Sequence, residues 1–575
     1  MKEIVTIQVG GFSNFIGSHF WNFQDELLGR AEDGHQDSIF KSTGLNMDIL
    51  YRVGETHQGI PTYTPRLLAM DSRGSLGAVR ASGSLYEETS LSDASSVTTW
   101  GGSVARYISE LNEKNKFLQS LEEEDGGNHH DSIKAGNSSS EIGTEDRTRI
   151  QCLENGVQYW TDYCKVQFHP LSLYELQGLW KDITPFDNFG NGREILTGHS
   201  QADELSDRLR FFVEECDHIQ GFQFLVDDSG GFASIAADFV ESIADEYAHT
   251  PILMHTARDP SSYTSFRDMR SSMTRALHDA ISFVKLSSFS SLTVPVGLSS
   301  LAKSQASRFL CINDSKLFHS SAVYASAFHT ATLPFRMGVS GPSSITEVDL
   351  GSLDMDTMIR NLSHQSKQHV VACLDAAIPA PSVAGIPNRS VLERSLHSLT
   401  PDVVDNSPDM EGVETLVIQG ALRSGRGGQA FLSEVRDSLV GVQKDCPRGV
   451  PICHLSVSRC PLPIPLPFPC IFGNFIGQNG EILSSPFAGT QGRGGLDVLS
   501  IPIATRLRSS KAILPYLEKR LQNLRNWGIA RGSPGGQLLE GWGLQKADVE
   551  DLGESLSEMV LSFDGTLMET SSESD

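Results

Sequence analysis

Long apolar runs are missing from this chain. Nowhere in its 575 residues does an uninterrupted hydrophobic stretch reach the length that spans a bilayer. Positive charge is scarce, with 46 Lys and Arg against 71 Asp and Glu and a net charge of −25. That field opposes nucleic acid and anionic lipid. Paired cysteine spacing is absent too. The nine cysteines fit free thiols in a reducing compartment. Cys446, Cys453, Cys460 and Cys470 crowd together beside His454, but no two are close enough to hold one metal ion from a single turn. The chain lacks G-x-x-x-x-G-K-[ST], H-E-x-x-H and G-x-S-x-G. Its start has neither a signal-peptide nor a transit-peptide pattern.

What remains, 39% hydrophobic and 20% charged residues, reads as a globular chain long enough for several domains. The informative stretch comes first. Ile4, Val5, Ile7 and Val9 form the short apolar run of a strand buried on both faces. Gly10 and Gly11 follow, then Ser13 as a candidate helix cap, then Ile16, Phe20, Trp21 and Leu27 at helical spacing. In a strand–glycine turn–helix unit, backbone N–H groups and the positive helix end converge on one point, which suits a phosphate. A tight turn without a ligand has the same pattern.

This stretch resembles the start of tubulin, M-R-E-I-V-H-I-Q-x-G-Q-C-G-N-Q-I-G. Met1, Glu3 to Val5, Ile7, Gln8, Gly10, Asn14, Ile16, Gly17, Phe20 and Trp21 match. Gly11, Phe12 and Phe15 depart where tubulin touches nucleotide. Tyr63, Pro65, Arg66, Asp71 and Gly74 resemble tubulin's next loop, with Arg73 where tubulin has an acid that works with magnesium. Asp71 is either part of such a site or a local cap. Asn188 and Gly192 resemble the N-N-x-x-x-G loop, and Cys216, Gln220, Gly221 and Phe222 its C-x-x-L-Q-G-F. At the diagnostic turn G-G-G-T-G-S-G, this chain keeps Gly230, Gly231 and Ser234, but has Ser229, Phe232, Ala233 and Ile235 at the other places.

Those substitutions have physical consequences. Glycines let backbone approach phosphate closely, and side chains at Phe232 and Ile235 fill that space. Asp227 and Asp228 put negative charge beside it, unless an embedded Mg²⁺ offsets them. Asp228 or Ser229 is the expected cap of the next helix. In the region after residue 334 tubulin's N-x-D activating motif is not found; Asp349, Asp354 and Asp356 lie there and are expected to be solvated.

With these altered loops and this length, the chain resembles the Misato family, tubulin-related proteins linked to mitochondrial distribution and microtubule organisation. The resemblance implies an α/β fold: a tubulin-like, doubly wound parallel sheet, then a mixed α/β domain and C-terminal helices. The expected domains are 1–335, with an insert at 81–186 whose acidic centre, 122–148, is disordered; 336–505; a helical segment, 506–547; and a largely disordered acidic tail with at most one short helix, 548–575. That tail holds nine acids and no Lys or Arg. The aromatic flank from Val157 to Phe168 is either a partner surface or a layer packed over the core. Ser282 to Val296 reads as strand and loop, Phe318 to Leu333 as the central helix, and Pro461 to Pro469 as a packed extended segment.

The degenerate GTP-type site is expected at Gly10, Gly11, Ser13, Asn14, Asp71, Asn188, Ser229, Gly230, Gly231 and Ser234. No catalytic residue, metal or hydrolysed cofactor is expected, and the protein is read as a scaffold rather than an enzyme. The alternatives are a GTP-binding switch with little hydrolysis and an active polymerising GTPase. The resemblance implies tubulin, cytosolic chaperonin or mitochondrial outer-membrane proteins as partners. It also implies a cytoplasmic location with peripheral attachment to the outer face of mitochondria.

Overall fold

A computed structural model describes residues 2–32, 40, 44–55, 59, 61–79, 114–120, 150–183, 186–193, 195–196, 199–263, 268–338, 349–363, 371–382, 389–403, 412–424, 428–440, 452–489 and 492–564. The loop centre at 122–148, Cys446 and residues 565–575 lie outside these. The first sheet has six parallel strands: β1 Lys2–Val9, β2 Leu67–Arg73, β3 Leu173–Trp180, β4 His218–Asp227, β5 Ile252–Ala257 and β6 Leu292–Val296. Their order is β3-β2-β1-β4-β5-β6, the doubly wound arrangement. Strand order reverses between β1 and β4, so a crevice opens at the carboxyl ends of those two strands.

Both faces of this sheet are covered. On one side α1, Gly11–Glu32, packs with the central helix α5, Leu317–Ala331, through Phe20, Phe23 and Phe328. On the other lie α2, His199–Glu214, α3, Phe232–Glu246, and α4, Met269–Ser288. Every residue of α5 except Leu317 is buried, because a second sheet covers its far side. That sheet is mixed, with strands β7 Asp349–Leu350, β8 Cys373–Ala377, β9 His397–Ser398, β10 Val413–Gln419, β11 Ile452–Ser458 and β12 Ile503–Ser509 in the order β9-β8-β12-β10-β11-β7. One apolar core therefore joins Leu253 and Val294 of the first sheet to Leu374 and Leu507 of the second. In the segment 461–469, Leu462, Ile464 and Phe468 are buried and Leu466 is exposed.

Four expectations need correction. The stretch read as an insert, 81–186, supplies strand β3; as an edge strand carrying exposed Gln177 and Gly178, it lacks the continuous apolar run of a central one. The region 282–288 is helix, not strand, because α4 is buried around most of its girth there and its run Ile281, Phe283, Val284 and Leu286 loses the helical period. Residues 503–509, placed partly in the C-terminal helical segment, are a central strand of the second sheet. Lastly, the acidic stretch from 548 is ordered as far as Asp564.

That stretch forms α6, Lys546–Asp564. Val549, Leu552, Leu556 and Met559 recur on one face and are buried, while Asp548, Glu550, Asp551, Glu554 and Glu558 are exposed. It packs with α4 and with the helix Leu514–Leu524, which starts with Pro515 in its first turn. The C-terminal helices thus complete the core of the first sheet, with Tyr516 edge-on to Phe283 at 5.3 Å. Leu556→Ala is expected to cost about 2–5 kcal/mol, as a buried leucine does. Chemical denaturation measures it, and a loss within the range of surface substitutions would show that α6 is not part of the core.

Candidate functional site

The crevice at the strand ends holds a pocket of about 440 Å³. The start of α1, just after β1, contributes Gly11, Phe12 and Phe15. Asp71, Ser72 and Ser75 come from the end of β2, and Leu179 to Asp182 from the end of β3. Asp227 ends β4 and Ser229 follows it, with Phe232 at the start of α3, and Asp259, Ser261 and Ser262 follow β5. Tyr159, Trp160 and Phe186 close the remaining wall. Each of these five strand ends brings at least one acid or aromatic ring to the same mouth.

At the centre stands Asp227. Its Oδ2 accepts the Phe12 N–H at 3.1 Å, so the carboxylate sits on the amino end of α1. Its Oδ1 accepts from the Ser229 N–H at 3.0 Å and the Ser229 hydroxyl at 2.5 Å. A negative group is thereby built into the place where the helix dipole and free N–H groups would otherwise receive a ligand anion. Ser13, expected as the cap, does something else: α1 begins at Gly11, and the Ser13 hydroxyl donates to the Val9 and Gly10 carbonyls at 2.7 and 2.8 Å.

The glycines are explained by packing. Gly10 has φ +97°, and a Cβ there would lie 2.7 Å from the Asp227 Cβ and 2.8 Å from the Phe232 ring. A Cβ on Gly230 would lie 2.1 Å from the Phe186 carbonyl oxygen, and one on Gly231 would lie 2.9 Å from the Gly192 nitrogen. The loop 186–192 therefore occupies the space above the diagnostic turn, and the Gly231 N–H donates to the Phe186 carbonyl. Phe232 stands edge-on to Phe186 at 4.9 Å. It is half-buried, whereas Ile235 is fully buried.

The remaining candidates divide. Asn14 donates to the Met70 carbonyl and to Asp71 Oδ2, and Asp71 also accepts from the Trp160 indole at 3.1 Å and the Ser72 N–H at 2.7 Å. Asp71 thus ties β2, α1 and the 150–170 segment together, more than a local cap does. Gly11, Asp71 and Ser229 reach the pocket. Asn188, Gly230, Gly231 and Ser234 are not among its lining residues. Asn188 bonds Asp187 and the Asn191 N–H at the start of a short helix, and the buried Ser234 hydroxyl has no partner among the described residues. Nor do Asp228 and Ser229 cap α3, whose first turn follows Gly231 without a side-chain bond. Asp228 instead pairs with buried Arg258 at 2.8 Å. Arg73 lies over the Trp180 ring at 5.1 Å. Asp354, expected to be solvated, caps the helix Met355–Leu362 and pairs with Lys2 at 2.9 Å.

Sequence reasoning did not single out Asp259, Trp180 or Phe186, and it did not place Tyr159 and Trp160 of the aromatic flank at this pocket. Trp160, Tyr163 and Phe168 form a layer buried over α1, as one of the two readings of that flank had it. Burial raises the carboxyls of Asp71 and Asp227 above the usual range. Burial pushes Asp259 up to about 6, and the nearby Asp227 and Asp314 charges add to the rise. Since its folded value exceeds its unfolded one, the stability tied to this proton is full below about pH 4 and lost as pH rises through 6. Asp259→Asn is therefore expected to stabilise the protein by on the order of 2–3 kcal/mol at pH 8 and by almost nothing at pH 4. Urea midpoints at the two pH values test this; equal gains at both would refute it.

Comparison with known proteins agrees with the tubulin-like fold. Residues 2–123 match the family model described as the Misato Segment II tubulin-like domain, and residues 150–337 match the one described as Tubulin domain. Protein misato homolog 1 of Mus musculus is 30% identical over 566 residues, covering 92% of this chain and 93% of the relative. That of Bos taurus is 30% identical over 602 residues, covering 98% of each. Protein misato of Drosophila melanogaster is 28% identical over 354 residues, covering 58% of this chain and 60% of its own. Similarity of this extent, on a tubulin-like sheet whose glycine turns have been refilled, makes the chain a member of the Misato family.

Proposed function

We propose that this protein is a non-enzymatic, tubulin-fold scaffold or adaptor in mitochondrial distribution and morphology and in microtubule organisation. The observation that carries the non-enzymatic part is the Asp227 carboxylate on the amino end of α1. A phosphate arriving there meets a like charge. Two such charges 4 Å apart repel by about 4 kcal/mol at the effective dielectric of a protein surface. The refilled turn adds a steric obstacle, since Phe186 and Phe232 stand where glycine-lined space would admit the phosphate chain. The cellular role rests on family membership, and so do the proposed partners: tubulin, cytosolic chaperonin or mitochondrial outer-membrane proteins.

A second reading, a GTP-binding switch that scarcely hydrolyses, is favoured by one observation. Phe232 is only half-buried, and the pocket beside it stays open. Melting curves separate the two. Ligand binding to the native state must raise the midpoint by mass action. The scaffold reading expects no shift with GTP and Mg²⁺, and no guanine nucleotide released on denaturing the purified protein. It also expects Phe232→Thr to lose about 1–3 kcal/mol with no GTP effect, because it opens a cavity beside Gly10 and adds a hydroxyl without a phosphate partner. A GTP-dependent rise in the wild type would favour the switch.

We further propose a cytoplasmic location with peripheral attachment to mitochondria. Among the described residues no helix is long and apolar enough to cross a membrane. Mitochondria-associated protein is expected in the soluble fraction after alkaline carbonate extraction; retention in the pellet contradicts peripheral attachment.

A further inference from the structure

The pocket that has turned against phosphate still has ligand-like dimensions. Among the described residues four carboxylates line it, Asp71, Asp182, Asp227 and Asp259, against one cation, Lys181. Three of the four are accounted for differently. Asp71 is held by Asn14, Trp160 and Ser72, and Asp227 by Phe12 and Ser229. Asp182 is exposed to water. Asp259 is the exception. It is 7% exposed, and its Oδ2 accepts from the Ser261 N–H and hydroxyl, but its Oδ1 is buried with no partner among the described residues. Ser75, also on the pocket wall and 4% exposed, has an unpartnered hydroxyl too. Buried polar atoms are normally paired, so these two mark where a polar partner is missing.

The rest of the wall indicates what that partner is. Phe12, Phe15, Tyr159, Trp160, Trp180 and Phe232 present aromatic surface, whose faces attract cations. Two of these rings already hold cations from this chain: the Lys181 ammonium lies 4.0 Å from the Tyr159 centroid, and the Arg73 guanidinium lies 5.1 Å from that of Trp180. A bare metal ion suits the site poorly, since among the described residues no three His, Cys, Asp or Glu side chains are grouped to share one. A polyphosphate is repelled by the same carboxylates.

We propose that this pocket binds an organic cation, a guanidinium or alkylammonium group, whose charge pairs with Asp259 and whose body stacks on the aromatic wall. The cation is either a free small molecule or a basic side chain of a partner segment. The proposal rests on the reading that the crevice has abandoned nucleotide.

Calorimetric titration of the full-length protein tests it, with three probes: agmatine, the peptide acetyl-Gly-Arg-Gly-amide, and GDP with Mg²⁺. Saturable binding of agmatine is expected, weakened about tenfold or more by Asp259→Asn, which loses one desolvated charge pair. The Asp259→Asn protein should melt no lower than wild type, so lost binding cannot be put down to unfolding. Trp180→Leu, on the exposed rim of the wall, should weaken binding by about fivefold through the lost cation–aromatic contact. Peptide binding as tight as that of agmatine assigns the site to a partner's side chain; binding of agmatine alone assigns it to a small molecule. No saturable heat from either cation at about 10 mM, where even a millimolar site would fill, overturns the proposal. So does agmatine binding that Asp259→Asn leaves unchanged. Binding of GDP instead of the cations overturns both this proposal and the non-nucleotide reading. Binding of no probe overturns only the cation.

Discussion

The Asp227 carboxylate is the anion around which this crevice is built. It terminates β4, holds the first turn of α1 through Phe12 and anchors Ser229 in the turn toward α3. In a doubly wound sheet these elements meet at the switch point, so one residue fixes the relation of the two central strands and the helices that follow them. Supplying the negative charge from the chain itself removes the need for a ligand to satisfy the helix end. It also imposes a cost. Burial keeps the Asp227 carboxyl above its usual range, and Asp259 nearby is raised further by the same charge.

A crevice at the carboxyl ends of parallel strands is a property of the fold, and what it binds is a property of the side chains delivered there. Here the strand ends deliver acids and rings. Gly10, Gly230 and Gly231 remain, yet each is required by a protein neighbour: the Phe232 ring, the Phe186 carbonyl and the Gly192 backbone. A glycine signature can thus be required by packing alone, because close approach of backbone to backbone needs the missing Cβ as much as close approach to phosphate does.

Much of the first sheet was legible in the sequence. Val5, Ile7 and Val9 in β1, and the periodic Ile235, Phe239 and Ile243 in α3, carry their own pattern. The central helix was legible from Tyr324, Phe328 and Pro334. Periodicity failed where burial or charge overrode it. The end of α4 is apolar nearly all round and so resembles a strand, and α6 carries enough acids to resemble a solvated tail despite its buried stripe from Val549 to Met559. The site was legible as a place but not as a chemistry. Nothing local to Asp227 says that it will cap a helix 215 residues earlier, and nothing near Asp259 marks it as a pocket wall. Those are tertiary facts, set by which strand ends become neighbours.

The docking of the helices after Ile513 onto α4 has a consequence for the order of synthesis. The core they complete also contains Ile281, Phe283, Val284 and Leu286, which emerge roughly 270 residues before Met559. At ribosomal rates of about 5–20 residues per second, that interval is roughly 15–50 s. Throughout it, the nascent first sheet carries a bare apolar flank, while the second sheet is made and must find its own partners. A growing chain in that condition invites sequestration by holding factors and is exposed to aggregation if left alone. Completion of this core is therefore timed by α6 rather than by β1.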